Sequence, residues 1–176
     1  MTSSTSELTE TQIECLLEID RSEHDASEYK FEMVKGIGVW EASPVYNHQM
    51  IILDIQVSLL ANRKPNGCEC NPVSDATIIF PDGSVKRPDI AIYCHKPNNS
   101  NKALRELPRA IIEIMSHGYE KKDTAISIPF YLLHGIENVV LLNPRTNKVL
   151  HYHSGIIEDL ISPVNLTFAC GCSATI

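Results

Sequence analysis

Two carboxylates interrupt apolar runs in this chain. Asp89 opens DIAIYC directly after Arg87-Pro88, and Glu113 stands inside AIIEIMS. An isolated carboxylate buried in such a run costs several kcal/mol unless it is paired or protonated. Neighbouring strands lie about 4.8 Å apart, so an acid on each could converge on one divalent ion. Mg2+ takes hard oxygen ligands, few of them from protein, with water and phosphate completing its octahedron. The burial can also be satisfied without metal, because Lys86, Arg87 and Arg109 are near in sequence and could pair with Glu113. The residues alone leave both readings open.

Other groups carry weaker signals. Four of the six cysteines form two CxC pairs, Cys68/Cys70 and Cys170/Cys172. A four-thiolate zinc site is one reading, although structural zinc sites usually place two or more residues between paired cysteines. The other is two small apolar side chains on one strand face. His151 and His153 share a face of their strand and could bind metal or sit at a solvated strand end. His48 either points into a site or packs its helix, and His117 follows Glu113 closely. No GxGxxG, P-loop or nucleophile elbow occurs, so nucleotide-cofactor and Ser-hydrolase chemistry lack a motif.

These groups need elements to hold them. Thr9 or Thr11 could cap a short helix through Asp20. EYKFEMVKGIGVWEA alternates like a hairpin turning near Lys35-Gly36. Asn47 to Ala61 has apolar residues at helical spacings and is ended by NRKPNG. CECNPV, DATIIF and RPDIAIYC read as strands, and HKPNNSNKALREL as a polar loop with a helical turn near its end. RAIIEIMS is apolar on both faces, as a central strand covered on two sides should be. YEKKDTAISIPFYLLHG reads as a helix interrupted at Pro129 and capped by Gly135. NVVLLNP and KVLHYH are strands joined by a PRTN turn, and the tail from Ile156 holds one further strand. The order describes an α/β or α+β domain with a mixed sheet; the expectation is α/β, a central mixed β-sheet flanked by helices, over residues 29–176, behind an arm of residues 1–28.

Charge is distributed unevenly. The chain has 22 acids and 15 bases, a net charge of -7. Residues 1–32 hold nine acids and two bases, a balance of -7, which leaves thirteen of each sign in the rest. Such an acidic run is a solvated face or an arm that shields a basic surface. No apolar run reaches the roughly 18 residues that span a bilayer, and the N-terminus lacks the pattern of a signal peptide. The expectation is a cytoplasmic protein without a membrane partner, in which disulfides are disfavoured.

A resemblance sharpens the acidic pattern. Pro88-Asp89 followed by an acid in a central strand is similar to the PD-(D/E)XK nuclease superfamily. More narrowly, FEMVKG (31–36), His48, Pro88-Asp89, EIMS (113–116), Tyr131, Gly135-Ile136 and LLNP (141–144) resemble, in order, the motifs of the Uma-type restriction endonucleases, a bacterial family. The resemblance implies a restriction-endonuclease-like fold and an endonuclease that hydrolyses DNA phosphodiester bonds with Mg2+ (or Mn2+). Asp89 and Glu113 would hold the metal with the Ile114 carbonyl, and Glu32 would be a further acid of the site. A homodimer would let both strands be cut. The superfamily's lysine falls at Met115, and the Uma-type alternative at Ser127. Lys122, then Lys121, are the nearest substitutes, and a basic patch of Arg63, Lys64, Lys86, Arg87, Lys121 and Lys122 could face DNA. The alternative is a nuclease-fold relative without catalysis, acting as a nucleic-acid-binding or protein-interaction module.

Overall fold

A two-residue turn with left-handed backbone at both positions matches the twist of a β-hairpin. Lys35 and Gly36 form such a turn, with φ of 50° and 78°. The computed structural model describes residues 29–42, 44–63, 67–98, 102–116 and 123–176. The expected helix of residues 9–20 lies outside them. The chain divides into two compact units, one of residues 1–43, 77–87 and 99–105 and one of residues 44–76, 88–98 and 106–176.

In the first unit the turn joins β1 (Tyr29–Val34) to β2 (Ile37–Ala42). Two short strands, β4 (Ile78–Ile79) and β5 (Val85–Lys86), complete a sheet of order β2-β1-β5-β4. Phe31, Met33, Ile79 and Val85 form its apolar cluster. Gly38 is required by the Phe31 ring, since a Cβ there would lie 2.9 Å from it. The helical turn expected near the end of the polar loop is absent among the described residues. Leu104 instead bridges Ile78, and its backbone hydrogen bonds go to Thr77 and Ile79.

The second unit contains β3 (Asn71–Ser74), β6 (Ile90–Tyr93), β7 (Ala110–Ile114), β8 (Asn138–Asn143), β9 (Lys148–His153) and β10 (Ile156–Ile161). They form one sheet of order β10-β9-β8-β7-β6-β3. Only β7 and β8 run parallel, so the sheet is mixed, as expected. RPDIAIYC does not form a strand from its start. Pro88 has no N–H to give a ladder, and β6 begins after it at Ile90. The residues of β7 are all buried. Ala110, Ile112 and Ile114 share a core with Ile52, Ile55 and Leu59 of α1 (Tyr46–Ala61). These α1 residues repeat at three and four, the stripe of a helix buried on one side.

Asp123–Ser127 is a π-helical turn leading into α2 (Ile128–Leu133). Pro129 therefore begins an α-helix rather than interrupting one, since an N–H is dispensable in a first turn. Gly135 takes φ of 79° just after it, the expected C-terminal role.

The tail contains three strands rather than one: β10, β11 (Asn165–Thr167) and β12 (Ser173–Thr175). β10 is an edge strand with Ile156, Ile157 and Ile161 exposed, so it shows no alternation to read. The cysteines were expected to pack as small apolar groups, and here they pair. Cys68 is disulfide-bonded to Cys94 and Cys70 to Cys172.

His151 corrects another expectation, for it is buried rather than at a solvated strand end. Its Nδ1 lies 3.2 Å from Glu158 Oε2 and its Nε2 3.1 Å from Asn138 Oδ1, and its ring stacks on His153. Burial first, then the His153 charge, hold its pKa below the ordinary value, while Glu158 opposes them. The unfolded chain therefore takes up this proton first. Stability should fall as pH drops below about 6.5 towards the lower folded value, by at most about 1.4 kcal/mol per pH unit. Melting curves across that window should be flatter for His151→Asn than for the native chain.

Candidate active site

Strand register positions the two acids. β6 and β7 pair with Ile90 opposite Ile112, and one step further sets Asp89 opposite Glu113. Each then binds the other's strand. The Asp89 N–H donates to Glu113 Oε2 at 3.1 Å, and the Ile114 N–H donates to Asp89 Oδ2 at 2.8 Å. Both residues are buried, 7% and 6% exposed. Hydrogen bonds to a charged acceptor are worth about 1.5–3 kcal/mol each, part of what the burial requires.

Side-chain alternation completes the surroundings. Ile112 and Ile114 face α1, so Glu113 points to the opposite face of β7. There the Tyr131 hydroxyl, on α2, donates to Glu113 Oε1 at 2.6 Å. From the α1 side, His48 Nε2 lies 3.1 Å from the Ile114 carbonyl oxygen and 3.2 Å from Asp89 Oδ2. Both neighbours are acceptors, so Nε2 must carry the hydrogen. The Ile114 carbonyl and the Asp89 carboxylate of the expected metal site thus meet at one imidazole, and Glu113 is tied to Asp89 through the Asp89 N–H. As a donor set they suit a hard divalent cation: two carboxylates and a carbonyl, all oxygen.

The remaining expected residues are either held in pairs of their own or lie outside the described residues. Glu32 belongs to the first unit, where it is buried in an ion pair with Lys86 and its Oε1 accepts the Arg87 N–H at 2.8 Å. Lys86 is thus paired with Glu32, and at 1% exposure it is not part of an exposed basic patch. Arg109 pairs with Glu137, not with Glu113. Lys64, Lys121, Lys122 and His117 lie outside the described residues. Reading residue by residue missed the joint position of His48 and Tyr131. Their signal was only the order of family motifs, because a His near a helix start and a Tyr in an apolar helix look like packing.

Comparisons with known proteins bear on the family and the fold. The model of the Uma2 family, described as putative restriction endonuclease, matches residues 15–167. Among solved structures, a putative nuclease belonging to DUF820 from Anabaena variabilis ATCC 29413 has a TM-score of 0.66 at 19% identity, covering 86% of this chain and 87% of its own. A DrdV-DNA complex has a TM-score of 0.34 at 14% identity, covering 52% of this chain and 8% of its own, too slight a likeness to bear on the fold. No curated protein matches the chain. With the family model spanning most of its length, the chain belongs to the Uma2 family of putative restriction endonucleases.

Proposed function

We propose that the protein is an endonuclease that hydrolyses DNA phosphodiester bonds with Mg2+ or Mn2+ held by Asp89, Glu113 and the Ile114 carbonyl. The observation that carries this is the reciprocal hold of Asp89 and Glu113 on each other's strand, Glu113 on the Asp89 N–H and Asp89 on the Ile114 N–H. Two buried carboxylates on paired strands with a carbonyl beside them form an all-oxygen donor set, which suits a divalent cation. When bound, it polarises a phosphate and lowers the pKa of an attacking water.

The chain's own residues prepare the place. The Ile114 N–H fixes Asp89 and the Tyr131 hydroxyl fixes Glu113, so neither carboxylate is free to turn away. His48 donates its Nε2 hydrogen towards Asp89 and the Ile114 carbonyl, which orients both oxygens. Lys122, or Lys121 beside it, is the cation proposed to meet the developing phosphate charge. Glu32 is proposed as a supporting acid.

Supercoiled plasmid tests the reading. The protein should convert it to nicked or linear product with Mg2+ or Mn2+ and not with EDTA. Plasmid left intact with both ions would overturn the reading and leave the fold as a binding module. Tyr131→Phe removes a single hydroxyl from Glu113. It should slow nicking about 10- to 100-fold, the range for groups that orient metal ligands, and cost about 1.5–3 kcal/mol of stability in urea unfolding.

A further inference from the structure

Five of the chain's six cysteines meet at one place in the second unit, far more than packing requires. Cys68 and Cys70 precede β3, Cys94 follows β6, and Cys170 and Cys172 sit in the turn between β11 and β12. β3 and β6 pair with Asn71 opposite Tyr93, so one step further sets Cys70 opposite Cys94. The two sulfur pairs, Cys68–Cys94 and Cys70–Cys172, also touch each other, with Cys172 Sγ 3.3 Å from Cys68 Sγ. Cys170 joins them, its sulfur within 4.8 Å of those of Cys68 and Cys94.

Two independent disulfide staples have no reason to lie in contact, nor to draw in a fifth cysteine. A metal-thiolate site requires this convergence. We propose that in the reduced protein Cys68, Cys70, Cys94 and Cys172 hold one Zn2+ as a tetrathiolate, with Cys170 beside it. Zn–S bonds of about 2.3 Å in a tetrahedron put sulfurs about 3.8 Å apart. The sulfurs of Cys68, Cys70 and Cys172 all lie within 4.8 Å of one another, and Cys68 is shared with a second such group that holds Cys94, so opening the two disulfides brings the four within reach of that spacing.

The backbone explains how a CxC pair can serve. In an extended strand, residues two apart point the same way and cannot clasp one ion. Cys70 instead has φ of 49°, a left-handed conformation that costs a non-glycine residue about 1–2 kcal/mol and redirects the chain between the two sulfurs. Gly171, with φ of 89°, does the same between Cys170 and Cys172 without that cost. The site would carry a net charge of -2. Arg63 brings its guanidinium to the Cys70 carbonyl at 3.1 and 3.2 Å. A cavity of about 400 Å³, lined by Cys68, Cys94, Cys170 and Arg109, gives an entry path.

The disulfide and metal forms exclude one another. A phosphine reductant supplies two electrons to each disulfide. Water provides the two thiol protons and the oxygen of the phosphine oxide. Zn2+ then displaces the protons of the four thiols. The loaded site would tie the β11–β12 pair at the C-terminus to the β3–β6 edge of the large sheet.

The test uses the full chain, purified with a phosphine reductant and dialysed against metal-free buffer. Elemental analysis should find about one zinc per chain, lost in Cys68→Ser and Cys172→Ser and kept in Cys170→Ser. Reloading the native chain with Co2+, which needs no variant, should give the thiolate-to-cobalt charge-transfer band and the intense visible bands of a tetrahedral thiolate site. The proposal is overturned if the reduced native chain holds no zinc and gives no such spectrum. It is overturned equally if the zinc content of the Ser variants matches that of the native chain, or if alkylation and mass analysis show both disulfides intact after reductive purification.

Discussion

Glu113→Gln and Asp89→Asn should each slow Mg2+-dependent nicking by about 100-fold or more, equivalent to about 2.7 kcal/mol of transition-state stabilisation. Both changes keep the shape of the side chain. A glutamine at 113 has one acceptor oxygen and can keep the bond from Tyr131 or from the Asp89 N–H but not both, whereas an asparagine at 89 can still accept from the Ile114 N–H. What is lost is charge, and an amide oxygen is a poor ligand for a hard cation. Stability should separate this from misfolding. Without metal, Asp89→Asn keeps its backbone bond and relieves like-charge repulsion between two buried acids, so its melting in EDTA should be unchanged or higher. Added Mg2+ should raise the melting temperature of the native chain, because it binds the folded state only, and should not raise that of either variant. Equal nicking by all three proteins would place the activity outside this site.

Glu32→Gln should cost about 3–5 kcal/mol in urea unfolding, the penalty for leaving one member of a buried ion pair uncompensated. Lys86 is nearly inaccessible, and Glu32 also holds the Arg87 N–H. The double change Glu32→Leu with Lys86→Met removes both charges and should recover most of that loss, since apolar pairs of similar volume often replace buried ion pairs at little cost. This double variant also separates the two roles of Glu32. Recovery of stability without recovery of nicking would give the carboxylate a part in the reaction. Recovery of both would make it structural.

What could be read from the sequence follows from how local each signal is. The β1–β2 hairpin, α1 and β7 depend on residues a few positions apart, and they form where expected. Glu113 was legible because a charge inside a buried strand violates the strand's own pattern. Its partners were not, because the Asp89 N–H and Tyr131 reach it through strand register and helix packing. Lys86 illustrates the same limit. It looked like one base among several near Glu113, and only the pairing of β1 with β5 shows that Glu32 claims it. The three tail strands were hidden because β10 exposes its isoleucines and each later strand buries few side chains. The cysteines were legible as CxC pairs, but their meeting required those tail strands.

The single parallel joint in the large sheet has a consequence for how such a site can drift. Antiparallel strands can be linked by tight turns, but the chain leaving β7 must cross over before β8 can start beside it. Glu113 is the next-to-last residue of β7, so that crossover sets out from the end of the sheet where the acids are. Its described residues 123–133 are helical and belong to no strand, so a lysine could be dropped from a strand and regained along such a crossover without changing any register. In a chain built this way the acids are anchored to the architecture, whereas the cation is a movable part. A search template with a fixed spacing between acid and lysine would pass over such a chain even where the chemistry had been kept.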